Sequence, residues 1–256
     1  MKTLAIIGSD GMIGSDLVHY FNKNFQVVPI SKKNYNSNVG KVFDIVINAN
    51  GNSRRFWANQ NPADDFFAST VSVMKSVFDF PCKLYIFISS SDIYEKPTGP
   101  SYTKENTEIN QANLQTYGLH KFLSELIVKK YKEKFLILRL SMVLGTNLKK
   151  GPFYDIIHNN PLYITLNTKL QLITTNAIFE IIKILLENNV TNEIINIGGI
   201  GTFPFTKIHK YFDREIKISP MAEKQIYQMN IEKVKQFYPA LKTSEEYLKE
   251  FLRKNS

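Results

Sequence analysis

Cysteine is all but absent: Cys82 is the single one in 256 residues, so no disulfide within the chain can form. Histidine is scarce too. His19, His120, His158 and His209 lie far apart and none stands at metal-ligand spacing, so no metal site is expected, and His158 reads as a surface residue. No apolar stretch approaches the ~20 residues of a membrane span, and no leader peptide opens the chain; a cytoplasmic protein with no membrane partner is the expectation. Although 32 Lys and Arg outnumber 23 Asp and Glu for a net charge of +9, the cations are scattered and form no dense basic run. Nucleic acid is therefore not expected as a partner, while a generally cationic surface suits anionic nucleotides. Internal repeats and low-complexity tracts are missing. What remains is a chain with 43% hydrophobic residues, long enough for one large α/β domain or for one domain with a small appendage.

The informative stretch is the first, KTLAIIGSDGMIGSDL, residues 2–17. Leu4 to Ile7 is a short apolar run that stops at Gly8; Gly11 and Gly14 follow, and Leu17, Val18, Tyr20 and Phe21 continue at helical spacing. The pattern predicts a buried strand, a glycine turn and a helix. Gly8 allows the tight turn, Gly11 lets a pyrophosphate approach the backbone, and Gly14 lets the helix pack on the strand. The helix N-terminus then offers free N–H groups to phosphate. The GxxGxxG spacing resembles the extended short-chain dehydrogenase/reductase superfamily, which includes nucleotide-sugar epimerases, dehydratases and ketoreductases. The resemblance implies a Rossmann-like, doubly wound parallel sheet with a small C-terminal substrate-binding portion. It also implies cofactor contacts from Gly8, Asp10, Gly11, Met12, Ile13 and Gly14.

A second strand is expected over 25–30. The residues after it meet the adenosine ribose in this fold, where an acid suits NAD and basic groups suit NADP. Ser31, Lys32 and Lys33 stand there with no Asp or Glu, which favours NADP, with NAD as the alternative. Residues 34–41 are too few for the helix and strand that the superfamily usually inserts next, so a trimmed sheet edge is expected. The strand 42–48 leads into Asn48-Ala49-Asn50-Gly51, which matches the superfamily's small-residue turn along the cofactor. Asn52, Arg54 and the neighbouring Arg55, Phe56 and Trp57 would then border the substrate. A helix from Asn61-Pro62 to about Phe78 carries Phe66, Phe67, Val71, Met74 and Phe78, a stripe read here as core.

Lys83 to Ile88 is apolar enough for a central parallel strand and ends in Ser89-Ser90-Ser91-Asp92-Ile93-Tyr94. The superfamily has a Ser/Thr pair, two variable residues, Val or Ile, and Tyr. Matching back from Tyr94 puts the active hydroxyl on Ser90, with Ser91 as the register alternative and Ser91 and Asp92 beside the substrate. A helix over about 114–132 carries Tyr117 and Lys121 at i and i+4, on one face, and Leu119, Phe122, Leu123, Leu126 and Ile127 on its apolar face. A carbonyl being reduced needs a proton donor; an ammonium beside a phenol draws its pKa down from ~10. Tyr117, Lys121 and Ser90 are thus the expected catalytic set, with Tyr117 and Lys121 also touching the cofactor. A second YxxxK, Tyr238 with Lys242, is interrupted by Pro239, follows no serine strand and is read as chance.

The strand 135–140 runs into Ser141-Met142-Val143-Leu144-Gly145, the expected loop past the nicotinamide, with Met142 at the substrate. Residues 1–145 are expected to form the NAD(P)-binding domain and 146–256 a smaller substrate region interleaved with it. Superfamily dehydratases follow the active Thr with Asp and Glu, and epimerase/reductases place a cysteine there. Ser91 and Asp92 fit neither. The expectation is therefore an NADP-dependent reductase of a nucleotide-linked keto sugar. An NAD-dependent 4-epimerase or a non-catalytic NAD(P)-binding protein of the same fold stands as the alternative, and a homodimer through the helix of Tyr117 is possible.

Overall fold

The computed structural model describes residues 1–255. Strand β1 (Thr3–Ile7) leads into helix α1 (Met12–Phe21) and strand β2 (Gln26–Ile30). A single 3-10 turn, Asn36–Asn38, then returns the chain to β3 (Phe43–Asn48). Helices α2 (Arg55–Gln60), α3 (Pro62–Phe66) and α4 (Ser72–Asp79) come next, the last two joined by a π-helical turn, Phe67–Val71. Strand β4 (Cys82–Ser90), helix α5 (Thr116–Tyr131) and strands β5 (Phe135–Leu140) and β6 (Met142–Leu144) complete the region around the site. Beyond them come α6 (Pro152–Ile157), β7 (Leu162–Ile164), β8 (Lys169–Leu170), β9 (Leu172–Thr174), α7 (Thr175–Glu187) and β10 (Glu193–Ile197). The chain ends through β11 (Phe203–Pro204), β12 (Ile218–Glu223), β13 (Ile226–Tyr227), α8 (Glu232–Phe237) and α9 (Ser244–Asn255).

Six strands form one parallel sheet in the order β10-β5-β4-β3-β1-β2, a Rossmann-like α/β fold. Both faces are covered, so β1 is apolar at successive residues: Leu4 and Ile6 pack on the α1 and α7 side, Ala5 and Ile7 on the α4 and α5 side. The chain leaves β1 for β2 on one flank and returns to β3 on the other. That reversal opens a crevice beyond the carboxyl ends of β1 and β3, the place where open α/β sheets hold ligands. The short 34–41 link leaves β2 as the sheet's edge. A second apolar cluster, with Phe153, Leu162, Phe203, Phe205, Leu248 and Phe251 at its centre, is built from the elements after β5. Among the described residues no helix is long and apolar enough to cross a membrane.

Two helix faces differ from the sequence expectation. The stripe of Phe66, Phe67, Val71, Met74 and Phe78 is not core: Phe67 is 64% and Phe78 59% exposed, with Phe66 and Val71 also exposed. The π-helical turn adds a residue to the helix and rotates the turns after it, so the buried face is Asp65, Ser69, Thr70, Val73, Ser76 and Val77. Helix α5 behaves alike. It buries Tyr117, Gly118, His120, Lys121, Ser124 and Glu125, and leaves Leu119, Phe122, Leu123, Leu126 and Ile127 wholly or partly uncovered. Polar groups tolerate burial here because they are hydrogen-bonded: Asn48 Nδ2 donates to Ser76 Oγ (3.0 Å) and to the Tyr85 hydroxyl (2.8 Å), and Thr70 Oγ1 donates to the His120 carbonyl (3.1 Å).

Candidate active site

The first wall of the crevice is the glycine turn. Gly8 has φ +83°, and a Cβ there would stand 2.9 Å from the Asn50 backbone. A Cβ on Gly14 would lie 2.1 Å from the Gly8 carbonyl oxygen, so α1 packs on the turn only because that residue is glycine. Gly8 N–H donates to the Ile30 carbonyl and Gly11 N–H to the Gly8 carbonyl, each at 2.9 Å. Gly11, in extended conformation, precedes the first turn of α1, where Met12 and Ile13 lie half-buried and Asp10 exposed. A turn that must stay free of Cβ atoms at Gly8 and Gly14, set before a helix N-terminus, is the kind of cradle that takes a pyrophosphate, so the chain's residues fit a dinucleotide. One contributor has no motif in the sequence: Asp16, buried in α1, accepts from Thr175 Oγ1 (2.6 Å) and Thr146 N–H (3.0 Å), fastening the 145–146 loop to the cradle. An acid on an otherwise apolar helix face is the only signal it leaves.

After β2, Ser31 serves the turn: its N–H donates to Asn34 Oδ1 (2.7 Å) and its Oγ accepts from Lys33 N–H (3.3 Å). Lys32 and Lys33 are exposed at the end of that strand. The opposite wall is the turn after β3. Asn48 is fully buried and its Oδ1 accepts from Asn50 N–H (2.9 Å), while Ala49 N–H donates to the Ile7 carbonyl and Asn50 Nδ2 to Ser72 Oγ (3.2 Å). Asn52 points inward: its Nδ2 donates to Asp65 Oδ1 (2.8 Å) and to the Arg54 carbonyl (3.0 Å).

Ser90 is the last residue of β4, beyond the carboxyl end of the sheet. Its Oγ donates to Asp92 Oδ2 (3.0 Å) and accepts from Asp92 N–H (3.2 Å). Ser91 is buried in the following 3-10 turn, where its carbonyl accepts from Tyr94 N–H, and Ser89 Oγ donates to buried Glu125 (2.5 Å). Helix α5 reaches this loop closely: a Cβ on Gly118 would lie 2.1 Å from the Asp92 carbonyl oxygen. The contact sets Tyr117 against Ser90. Burial, then Asp92, pushes the Tyr117 phenol above its ordinary value, while Ser90 and Arg55 pull the other way. The phenol is therefore held protonated. Lys121 is buried one turn along, its ammonium donating to the Ile88 carbonyl (3.0 Å) and lying 4.9 Å from the Phe87 ring centroid. Burial lowers its pKa to about 8, against the opposing pull of Asp65 and Glu125.

Asp92, expected beside the substrate, is also a meeting point for residues distant in the sequence. Its Oδ1 accepts from Arg55 Nη1 (3.1 Å) and from the Tyr227 hydroxyl (2.9 Å), and Arg55 also donates to Tyr227 (2.5 Å). Tyr227 comes from β13, 135 residues further along, and no local pattern marks it. Lys150 stands among the same groups; burial, then Arg54 and Arg55, lowers its pKa to about 8. Arg54 itself is exposed at the crevice rim. Met142 enters β6, its N–H bonded to the Gln171 carbonyl (3.1 Å), near the loop of Lys150. His158 is exposed and stacked on Tyr154.

A protein-family model described as the NAD dependent epimerase/dehydratase family matches residues 4–198. No curated protein sequence matches the chain. Among solved structures, a UDP-glucuronic acid 4-epimerase variant from Bacillus cereus, in complex with a fluorinated UDP-glucuronic acid and NAD, superposes with TM-score 0.78 at 17% identity, covering 99% of this chain and 100% of that one. A UDP-N-acetylglucosamine 4-epimerase from Methanobrevibacter ruminantium gives 0.78 at 17% identity, covering 98% and 96%. A dTDP-4-dehydrorhamnose reductase from Bacillus anthracis, in complex with NADP, gives 0.77 at 14% identity, covering 99% and 98%.

Proposed function

The chain belongs to the NAD-dependent epimerase/dehydratase family, enzymes that work with a nicotinamide dinucleotide on nucleotide-linked sugars, and on that premise we propose that it is an NADP-dependent reductase of a nucleotide-linked keto sugar. The observation that carries this reading is the meeting of Ser90, Tyr117 and Lys121 at the end of β4, beside the crevice lined by the glycine turn.

Gly8, Asp10, Gly11, Met12, Ile13 and Gly14 would hold the pyrophosphate, and Asn48, Ala49 and Asn50 the nicotinamide side. When bound, the cofactor supplies the hydride that goes to the carbonyl carbon. Ser90 would exchange its bond to Asp92 for one to the carbonyl oxygen, fixing that oxygen beside the Tyr117 phenol. Tyr117 gives its proton to the oxygen as negative charge gathers there, and Lys121 as an ammonium stabilises the phenolate left behind. Lys32 and Lys33 are exposed where a ribose 2′-phosphate would lie, which supports NADP. Arg54, Asn52, Ser91, Asp92 and Met142 would border the sugar nucleotide, with 146–256 forming most of its cover.

The second reading, an NAD-dependent 4-epimerase, uses the same three residues and is favoured by the epimerases among the structural neighbours. We also infer a homodimer. Helix α5 and the α3–α4 helix bury polar faces and present apolar ones, including Phe67, Phe78, Leu126 and Tyr131, and a two-fold axis would cover that patch with its own copy.

Thermal melts with NAD, NADH, NADP and NADPH, followed by NADPH oxidation with keto-sugar nucleotides, test the assignment. The largest rise is expected with NADPH, and Tyr117→Phe is expected to lower turnover by about 10²–10⁴-fold with the NADPH melt shift kept. A preference for NAD would turn the reading to the epimerase. Undiminished turnover in Tyr117→Phe would remove Tyr117 from the chemistry.

A further inference from the structure

Beneath the site lies a carboxylate that the proposed reaction does not use. Asp65, on α3, is fully buried. Its Oδ2 meets His120 Nδ1 at 2.6 Å, and its Oδ1 accepts from Asn52 Nδ2 (2.8 Å) and Ser69 Oγ (3.3 Å). A buried carboxylate is costly unless it is paired and hydrogen-bonded, and three groups from three different segments converge on this one. Those segments are the loop after β3, the π-helical turn and helix α5, the three that frame Lys121. Gly51 in that loop has φ +124°, and a Cβ on it would lie 3.5 Å from Lys121 Nζ and 3.6 Å from Ser69 Oγ.

The charges around Lys121 decide what Asp65 does. On its own helix Lys121 faces Glu125; from α3 it faces Asp65; from β4 it meets the Ile88 carbonyl and the Phe87 ring. Glu125 is already answered. Arg139 on β5 donates to it through Nη2 (2.7 Å) and Nε (3.0 and 3.3 Å), and Ser89 adds a fourth bond. Asp65 has an amide, a hydroxyl and an imidazole. Lys121 is the ammonium that faces it. Burial drives Lys121 toward the uncharged amine, and Asp65 opposes it.

We propose that Asp65 is a positioning residue: its buried carboxylate ties the loop after β3 to helix α5 through Asn52 and His120 and keeps Lys121 an ammonium at working pH. The proposal rests on the reading of Lys121 as part of the site, but its test needs no substrate. Protein labelled with ¹³C at lysine Cε is titrated by NMR, and the Lys121 resonance is assigned by its loss in Lys121→Arg. Native Lys121 is expected to titrate near 8. Asp65→Asn should move that midpoint lower by on the order of one pH unit, and Asp65→Glu should restore most of it. The alkaline limb of NADPH turnover should move in step, with the NADPH melt shift kept. If Asp65→Asn does not fold, the pair Asp65→Leu with His120→Phe replaces both partners by apolar groups, a change that buried ion pairs often tolerate. It removes the same field and should give the same downward shift. An unchanged Lys121 midpoint in either folded variant overturns the proposal. Absence of keto-sugar turnover in the native protein, with the titration shifted as expected, would instead overturn the reductase assignment alone.

Discussion

Lys121, buried as a cation, costs the fold stability. Its pKa in the folded protein, about 8, lies below the ~10.4 of an unfolded chain. Between those values the unfolded state binds more protons, so stability rises with pH across that window. The penalty is full below about pH 8 and gone by about pH 10.4. Lys121→Met is therefore expected to abolish turnover and to flatten the rise of stability with pH that the native protein shows between about 8 and 10.4; melts of both proteins at pH 7 and about 10.5 check it. Ser90, Tyr117 and Lys121 could be picked out as candidates in the sequence because each sits in a short pattern tied to its own strand end or helix face. Asp65, Tyr227 and Lys150 could not. Their surroundings depend on partners distant in sequence, such as His120, 55 residues from Asp65, and Asp92, 135 residues from Tyr227, and no local spacing encodes such meetings.

Helix α5 and the α3–α4 helix bury many polar side chains alongside Val73, Val77 and Val128, and leave several large apolar ones outside. Periodicity found both helices, and the ends expected at 114 and 132 fall within two residues of Thr116–Tyr131. It misjudged their faces because burial here follows hydrogen bonding rather than hydropathy. The π-helical turn, invisible in composition, rotates the turns after it and so leaves Phe78 outward. Gly118 shows how tightly α5 is held. With only 2.1 Å between the place of a Cβ and the Asp92 carbonyl oxygen, Gly118→Ala must push the helix off the serine loop. That change is expected to cost about 1–3 kcal/mol in denaturant unfolding and to lower turnover more than NADPH binding, because Tyr117 leaves Ser90 while the glycine cradle on α1 is untouched. Equal losses of both would show that the two walls of the crevice move together.

The whole molecule carries an exposed apolar face and an exposed sheet edge, and the two call for different treatment. Phe67, Phe78, Leu126 and Tyr131, with the Phe78 and Tyr131 rings 5.0 Å apart, form the face proposed above to meet a second copy. Sedimentation of the native chain is expected to give a dimer at micromolar concentration, and Phe67→Glu with Phe78→Glu a folded monomer; a native monomer would remove the inferred dimer. The edge comes from the short link between β2 and β3, which was legible as a simple shortage of residues. Strand β2 is left with one side unpaired. The Ile30 carbonyl accepts from Gly8 and Ser9 N–H, so Ile30 faces β1 and its neighbour Pro29 faces outward. A proline there has no N–H to offer a passing strand, and its ring stands where one would dock. The sheet could thus lose its outer strand without becoming a template for fibril-like stacking between molecules.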